Sequence, residues 1–237
     1  MVQRIALINI INIITMENNM KKLSFTLAAL SLATSSAFVS TAASAVEGLS
    51  ANVGVTSNYL WRGLEQTGGD AAVSGGIDYA SDSGFYAGTW TSNVAWGTEL
   101  DLYGGYSADI NDSMSYDVGF IYFAYPDADD ADFSEIYGSF TFSGLSVGVA
   151  VLTSATDYDA GDSIYVNADY ALPVGKDGEV AFHVGSYSGD FSTESVDFGV
   201  SYSKDSFTFG VSKTDYEDGG HSDDMKFYVS YGIDIDL

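Results

Sequence analysis

The chain has 237 residues, with 33 acidic against 8 basic side chains, a formal net charge of −25 and no cysteine. Such a charge makes nucleic acid and anionic membrane surfaces poor partners. Without disulfides, an exported chain has to be held together by a packed core or by a closed sheet.

The N-terminus comes first. Met20 is followed by Lys21 and Lys22, by the apolar run LSFTLAALSLA, and by small residues ending in Ala43-Ser44-Ala45. That is the basic, apolar and cleavage-site order of a secretory signal, and the apolar run is too short to span a bilayer. It predicts a leader over 1–45, with the signal peptide at 20–45, and a mature domain over 46–237. The Ile/Asn-rich stretch before Met20 reads as an over-long start. Removing Arg4, Lys21, Lys22 and Glu17 with the leader leaves 5 basic and 32 acidic residues, a net charge of −27.

From Val46 onward the apolar residues recur with period two, the period of strands. Twelve strands are predicted near 49–62, 71–80, 84–93, 98–110, 113–125, 133–142, 145–153, 163–172, 179–188, 194–203, 206–214 and 224–237. In the first, Leu49, Ala51, Val53 and Val55 alternate with Ser50, Asn52, Gly54 and Thr56. In the fourth, ELDLYGGYSADI sets Leu100 and Leu102 against Glu99, Asp101, Tyr103 and Gly105. In the fifth, Tyr116, Val118, Phe120 and Tyr122 alternate with Asp117, Gly119, Ile121 and Phe123. In the tenth, Val196, Phe198, Val200 and Tyr202 alternate with Asp197, Gly199 and Ser201. Short connections such as Ser143-Gly144 and Lys204-Asp205 alternate with longer acidic ones such as GLEQTGGD, PDADDAD and DYEDGGHSDD.

A soluble sandwich would carry bulky residues on one face and Lys and Glu on the other. Here the second face is mostly Gly, Ser, Asn, Asp and Tyr. Many half-apolar strands with no edge protection by Lys or Pro would aggregate unless the sheet closed. Together with the even strand number and alternating connections, this predicts an all-β transmembrane antiparallel up-and-down barrel, apolar outside and polar inside. Tyr59, Trp61, Tyr122, Tyr170 and Tyr202 near strand ends read as aromatic girdles.

The stretches VTSNYLWRGLEQTGGDAAVSGGIDY, GFYAGTWTSN, ELDLYGGYSADI, SYDVGFIYFAYPDA and SEIYGSF closely resemble the TorF-type porins, bacterial proteins once grouped as conserved hypotheticals. The resemblance is dense from Leu49 to about Phe142 and looser afterwards. It implies an outer-membrane barrel assigned as a porin mostly by architecture, with no agreed substrate or catalytic residue. The terminal Leu237 departs from the Phe usual in outer-membrane barrels, although Tyr231, Ile233, Ile235 and Leu237 still form an apolar last strand for the assembly machinery.

Alternation places Arg62, Asp78, Glu99, Asp101, Asp117, Glu135, Asp169, His183, Asp197, Lys226 and Asp234 on the inner face. Leaving His183 aside, that is eight acids against two bases. Rings of Asp and Glu in a pore favour cations. The same carboxylates could instead pair with Arg62, Lys226, tyrosines and water to fill a narrow lumen. Arg62, the single arginine after the leader, reads as a tie between the first strand and its neighbours or as a constriction residue. PDADDAD lacks the glycine and distal Glu of a calcium loop and reads as solvated. No cofactor or metal is expected. A hydrolase would need His183 or His221 as its base, but the first points inward and the second lacks a Gly-x-Ser-x-Gly partner. The expectation is a non-enzymatic outer-membrane porin for small hydrophilic solutes or cations, embedded in outer-membrane lipids. A structural barrel with a plugged lumen is the alternative and a hydrolase the third reading.

Overall fold

The structure, a computed structural model, describes residues 46–217 and 223–237. The predicted leader, its cleavage site and His221 lie outside the described residues. Among the described residues fourteen strands run in chain order: β1 (Leu49–Thr56), β2 (Leu60–Trp61), β3 (Leu64–Glu65), β4 (Ala72–Ala80), β5 (Phe85–Val94), β6 (Gly97–Asn111), β7 (Met114–Ala124), β8 (Phe133–Phe142), β9 (Leu145–Ala155), β10 (Ser163–Val174), β11 (Gly178–Gly189), β12 (Ser195–Lys204), β13 (Phe207–Tyr216) and β14 (Lys226–Asp236). All but β2 and β3 form one closed antiparallel barrel of twelve strands, in which β1 pairs with β4 on one side and β14 on the other.

Closure leaves no sheet edge among these strands, so the backbone polar groups in the ladders are satisfied within the barrel wall. A wall that contacts lipid requires this. The two ends of the described chain meet where the amide of Val46 donates to the carbonyl of Leu237 at 3.0 Å. At that end the connections are short. Ser143 and Gly144 both take positive φ (48° and 86°), the two-residue turn whose twist matches antiparallel strands. Longer loops crowd the opposite end, apart from the tight Ala95-Trp96 turn.

Period two decides the faces. Val53, Val73, Ile77, Val118, Phe120, Ile136, Val147, Val166, Phe182, Val200, Phe209 and Val229 all stand exposed on the outer wall. Glu99, Asp101, Asp117, Glu135 and Asp197 are buried within the barrel. The barrel is thus apolar outside and polar inside, which makes sense only against hydrocarbon. Leu102, 51% exposed on the outer wall, provides a test. Leu102→Arg is expected to impair insertion by about 2–4 kcal/mol, the midplane cost of a lipid-facing cation, and Asp101→Asn far less. The measure is the heat-modifiable fraction after refolding into vesicles, and equal damage from both would reverse the two faces.

Eleven of the twelve barrel strands lie within two residues of the predicted bounds. The first does not, since the predicted 49–62 strand stops at Thr56. There the Thr56 hydroxyl donates to the Asn58 carbonyl (3.0 Å), the Ser57 amide donates to Val229 and the Ser57 hydroxyl accepts from the Val229 amide. This Ser57-Asn58 corner turns the chain off the wall and into the lumen. Tyr59 and Trp61 are therefore not in the lipid girdle: Tyr59 is buried, and Trp61 packs inside against Phe123, Phe133 and Tyr187. Tyr170 and Tyr202 do stand exposed on the outer wall, and half-buried Tyr122 donates its hydroxyl to Asp132 (2.6 Å).

Candidate functional site in the barrel lumen

β2 and β3 pair as a small hairpin, Leu60 with Glu65 and Trp61 with Leu64. Its two-residue turn is Arg62-Gly63, both at positive φ (50° and 75°). Gly63 is needed there for a second reason, because a Cβ would overlap the Thr214 hydroxyl and come within 2.7 Å of Asp197 Cβ. For Arg62 the left-handed conformation costs about 1–2 kcal/mol, and the contacts of its side chain offset that.

The Arg62 guanidinium donates two hydrogen bonds to Glu135 on β8, at 2.7 and 2.6 Å. It also lies over the rings of Trp61 (4.3 Å), Tyr165 (4.5 Å) and Tyr187 (5.5 Å), so carboxylate and aromatic faces both stabilise the cation. The side chains of Arg62 and Glu135 are 9% and 2% exposed. Burial works against the charge of Arg62, but the Glu135 carboxylate and its hydrogen bonds outweigh this and hold the pKa above its ordinary value. Thr214 on β13 donates to the Gly63 carbonyl at 3.0 Å. The hairpin thus reaches from its root beside β1 to walls on β8, β10, β11 and β13, crossing the lumen. The root is fixed in turn: Asn58 Nδ2 donates to Glu65 Oε1 (2.8 Å), the Gln66 amide to the Tyr59 carbonyl (2.8 Å) and the Ala95 amide to the Gln66 carbonyl (2.7 Å).

Beside the hairpin lies an apolar layer inside the barrel. Ile121, Phe123, Phe133 and Leu152 point inward from β7, β8 and β9 and are fully or nearly fully buried. Phe123 stacks on Phe133 at 4.3 Å, and Trp61 meets both edge-on. Hairpin and layer together place buried side chains across the long-loop half of the lumen.

The polar groups fall into separate sets. Glu99 accepts from the hydroxyls of Tyr59 (2.7 Å) and Tyr125 (3.0 Å), while Asp101, two residues along the same face, has no hydrogen-bond partner. His183 sits between two carboxylates, with Nδ1 2.6 Å from Asp169 and Nε2 2.8 Å from Asp197, and the Tyr165 hydroxyl donates to Asp197 at 3.1 Å. Asp117 accepts from Tyr86 (2.9 Å), whose hydroxyl also meets that of Tyr137 (2.6 Å). Asp78 accepts from Tyr103 and from Asn52 Nδ2 (3.0 Å). Lys226 and Asp234 lie towards opposite ends of β14, Lys226 opposite Ser212 and exposed Asp234 opposite Asn52. The predicted inner residues therefore form no single ring, and Arg62 sits on the hairpin rather than on the wall.

The tyrosines that organise these carboxylates were missed as site residues. Tyr103 faces Gly88 across the β5–β6 ladder, Tyr86 faces Gly105, Tyr137 faces Gly119 and Tyr228 faces Gly210. A Cβ at Gly88 or Gly105 would come within 2.6 Å of the opposing ring. The inner glycines clear room for rings to lie across the neighbouring strand, an arrangement that protects glycine in sheets.

A comparison with curated proteins finds no match. Among solved structures the KdgM porin is similar over 80% of this chain and 98% of that one, with a TM-score of 0.50 at 11% identity. The KdgM porin in complex with disordered oligogalacturonate gives the same figures. A structure described as "Unveiling the Mechanism Behind the in-meso Crystallization of Membrane Proteins" reaches a TM-score of 0.57 at 12% identity, over 80% of this chain and 84% of that one. At such identities the likeness is one of fold, the closed antiparallel barrel. The sequence model of the family described as "Bacterial protein of unknown function (Gcw_chp)" matches residues 39–219, well over half of the chain, and the chain belongs to that family.

Proposed function

We propose that the protein is an outer-membrane channel of the porin type for small hydrophilic solutes or cations, held shut in the conformation described by the β2–β3 hairpin. The observation that carries the reading is the division of the lumen. Its short-turn half carries Asp78, Asp117, Asp169 and Asp234 towards the short turns, and its long-loop half is crossed by one hairpin tied to the wall through Arg62 and Glu135. A wall that is apolar outside supports residence in lipid, the barrel likeness to porins supports a channel, and the resemblance to TorF-type porins agrees with both. The signal-like leader supports export through the periplasm. The outward Tyr231, Ile233 and Ile235 of β14 supply the apolar strand that the assembly machinery would engage.

The reading is non-catalytic. The ring nitrogens of His183 are engaged by Asp169, Asp197 and Tyr165, which leaves the imidazole poorly placed to act as the base of a serine nucleophile. A structural barrel with a permanently filled lumen is the second reading, and the packed Ile121, Phe123 and Leu152 layer favours it.

Open channels are expected to prefer cations. Asp78 and Asp234 line the short-turn half, and Asp127, Asp129 and Asp130 sit in the loop at the other mouth. The preference should fall as salt rises, since the Debye length shrinks from about 10 Å at 0.1 M to about 3 Å at 1 M. Reversal potentials of the open state under a KCl gradient test this, for the wild type and for Asp78→Asn/Asp234→Asn, which should weaken the preference. An anion-selective wild type would defeat it.

A further inference from the structure

Asp101 is 0% exposed, both its carboxylate oxygens are shielded, and neither has a hydrogen-bond partner. Its neighbour on the same inner face, Glu99, is 1% exposed. The groups bonded to Glu99 are phenols, those of Tyr59 and Tyr125, which both donate to it. No cationic side chain is among them, since Arg62 is taken by Glu135. A buried carboxylate without a partner is among the costliest arrangements a fold can carry, and Asp101 is one, with the tyrosine-bonded Glu99 beside it.

We propose that Glu99 and Asp101 form a binding site for one hard divalent cation of the Ca²⁺ class. Residues i and i+2 of a strand share a face with roots about 7 Å apart, and a cation with bonds of about 2.3–2.6 Å to oxygen can bridge carboxylates at that spacing. The donors are all oxygen, which selects hard cations over soft ones. Their combined charge matches a divalent ion, and the Tyr59 and Tyr125 hydroxyls that already bond Glu99 orient that carboxylate. Among the described residues no set of three or more His, Cys, Asp or Glu side chains is arranged to hold a metal. The site rests on the two carboxylates and on the Tyr59 and Tyr125 hydroxyl oxygens beside them. It lies beneath the hairpin root, because Tyr59 belongs to the turn that leads into β2. The proposal does not depend on conduction, for an ion can bind here whether or not the lumen opens.

Terbium is the probe. It takes oxygen sites of Ca²⁺ size, and its luminescence is sensitised by nearby aromatic rings, here Tyr59, Tyr125 and Trp90, which packs on Tyr59 at 5.7 Å. The full mature chain would be refolded in detergent in the presence of Tb³⁺ and titrated with Ca²⁺. One stoichiometric, Ca²⁺-displaceable component is expected in the wild type. It should weaken by about tenfold or more in both Asp101→Asn and Glu99→Gln, because affinity follows the count of charged ligands. It should persist in Asp127→Asn/Asp129→Asn/Asp130→Asn, which removes loop carboxylates. Asp101→Asn also removes an uncompensated charge, so a folded variant is expected for the comparison. An unchanged titration in both Asp101→Asn and Glu99→Gln, a loss confined to the loop variant, or no bound ion at all would each overturn the site.

Discussion

Arg62→Ala is expected to destabilise the folded barrel by about 3–5 kcal/mol, the usual cost of removing one partner from a buried ion pair. The loss does not come from the attraction alone. With Arg62 gone, Glu135, whose side chain is 2% exposed in the intact pair, is left with its charge uncompensated, while Trp61, Tyr165 and Tyr187 lose the guanidinium that lay against their rings. Glu135→Gln in the same chain should restore most of the loss, because the wall residue is then neutral and the hairpin tip carries no unmet charge. The measurement is urea unfolding in detergent micelles of the wild type, the single variant and the double variant. A single-variant cost below about 1 kcal/mol would class the pair with exposed salt bridges and remove it as a latch.

The strands were legible because each carries its own signal. Val196, Phe198, Val200 and Tyr202 announce β12 with no help from the rest of the chain, and a closed barrel follows once twelve such segments alternate with suitable turns. The hairpin was not legible, because Tyr59 and Trp61 continue the apolar alternation of β1 across Ser57-Asn58 and make the segment read as a longer strand. Its local cue is Arg62-Gly63, a dipeptide ending in glycine and suited to a two-residue turn. The latch itself joins residues 73 apart in the chain, and no spacing rule connects them. The apolar layer left a trace: Ile121 and Phe123 interrupt an inner face that is otherwise Ser115, Asp117 and Gly119. Bulky apolar residues on the lumen face mean either reversed faces or a filled interior, and the outward Val118 and Phe120 decide for the second. The Gly–Tyr pairs needed the register. Gly119 and Tyr137 are visible in the sequence as residues, but only the β7–β8 ladder sets one opposite the other.

If the β2–β3 hairpin seals the lumen, removing it should open a path through the barrel. Residues 58–66 would be replaced by a short Gly/Ser linker, which leaves β1 and β4 paired along their length. Without the hairpin, Trp61 no longer caps the Phe123–Phe133 stack, and Glu135 and Asp197 face water. The apolar layer also loses the partner that completed its packing, so its side chains have room to move to the wall. Single-channel currents of wild-type and hairpin-deleted protein would be recorded in planar bilayers under identical salt and voltage, after heat modifiability has shown that both are inserted. The wild type is expected to stay closed for most of the record, and the deletion to carry a steady current. Steady conduction by the wild type, unchanged by the deletion, would contradict the seal; an inserted, folded deletion that never conducts would contradict the channel and leave a structural barrel.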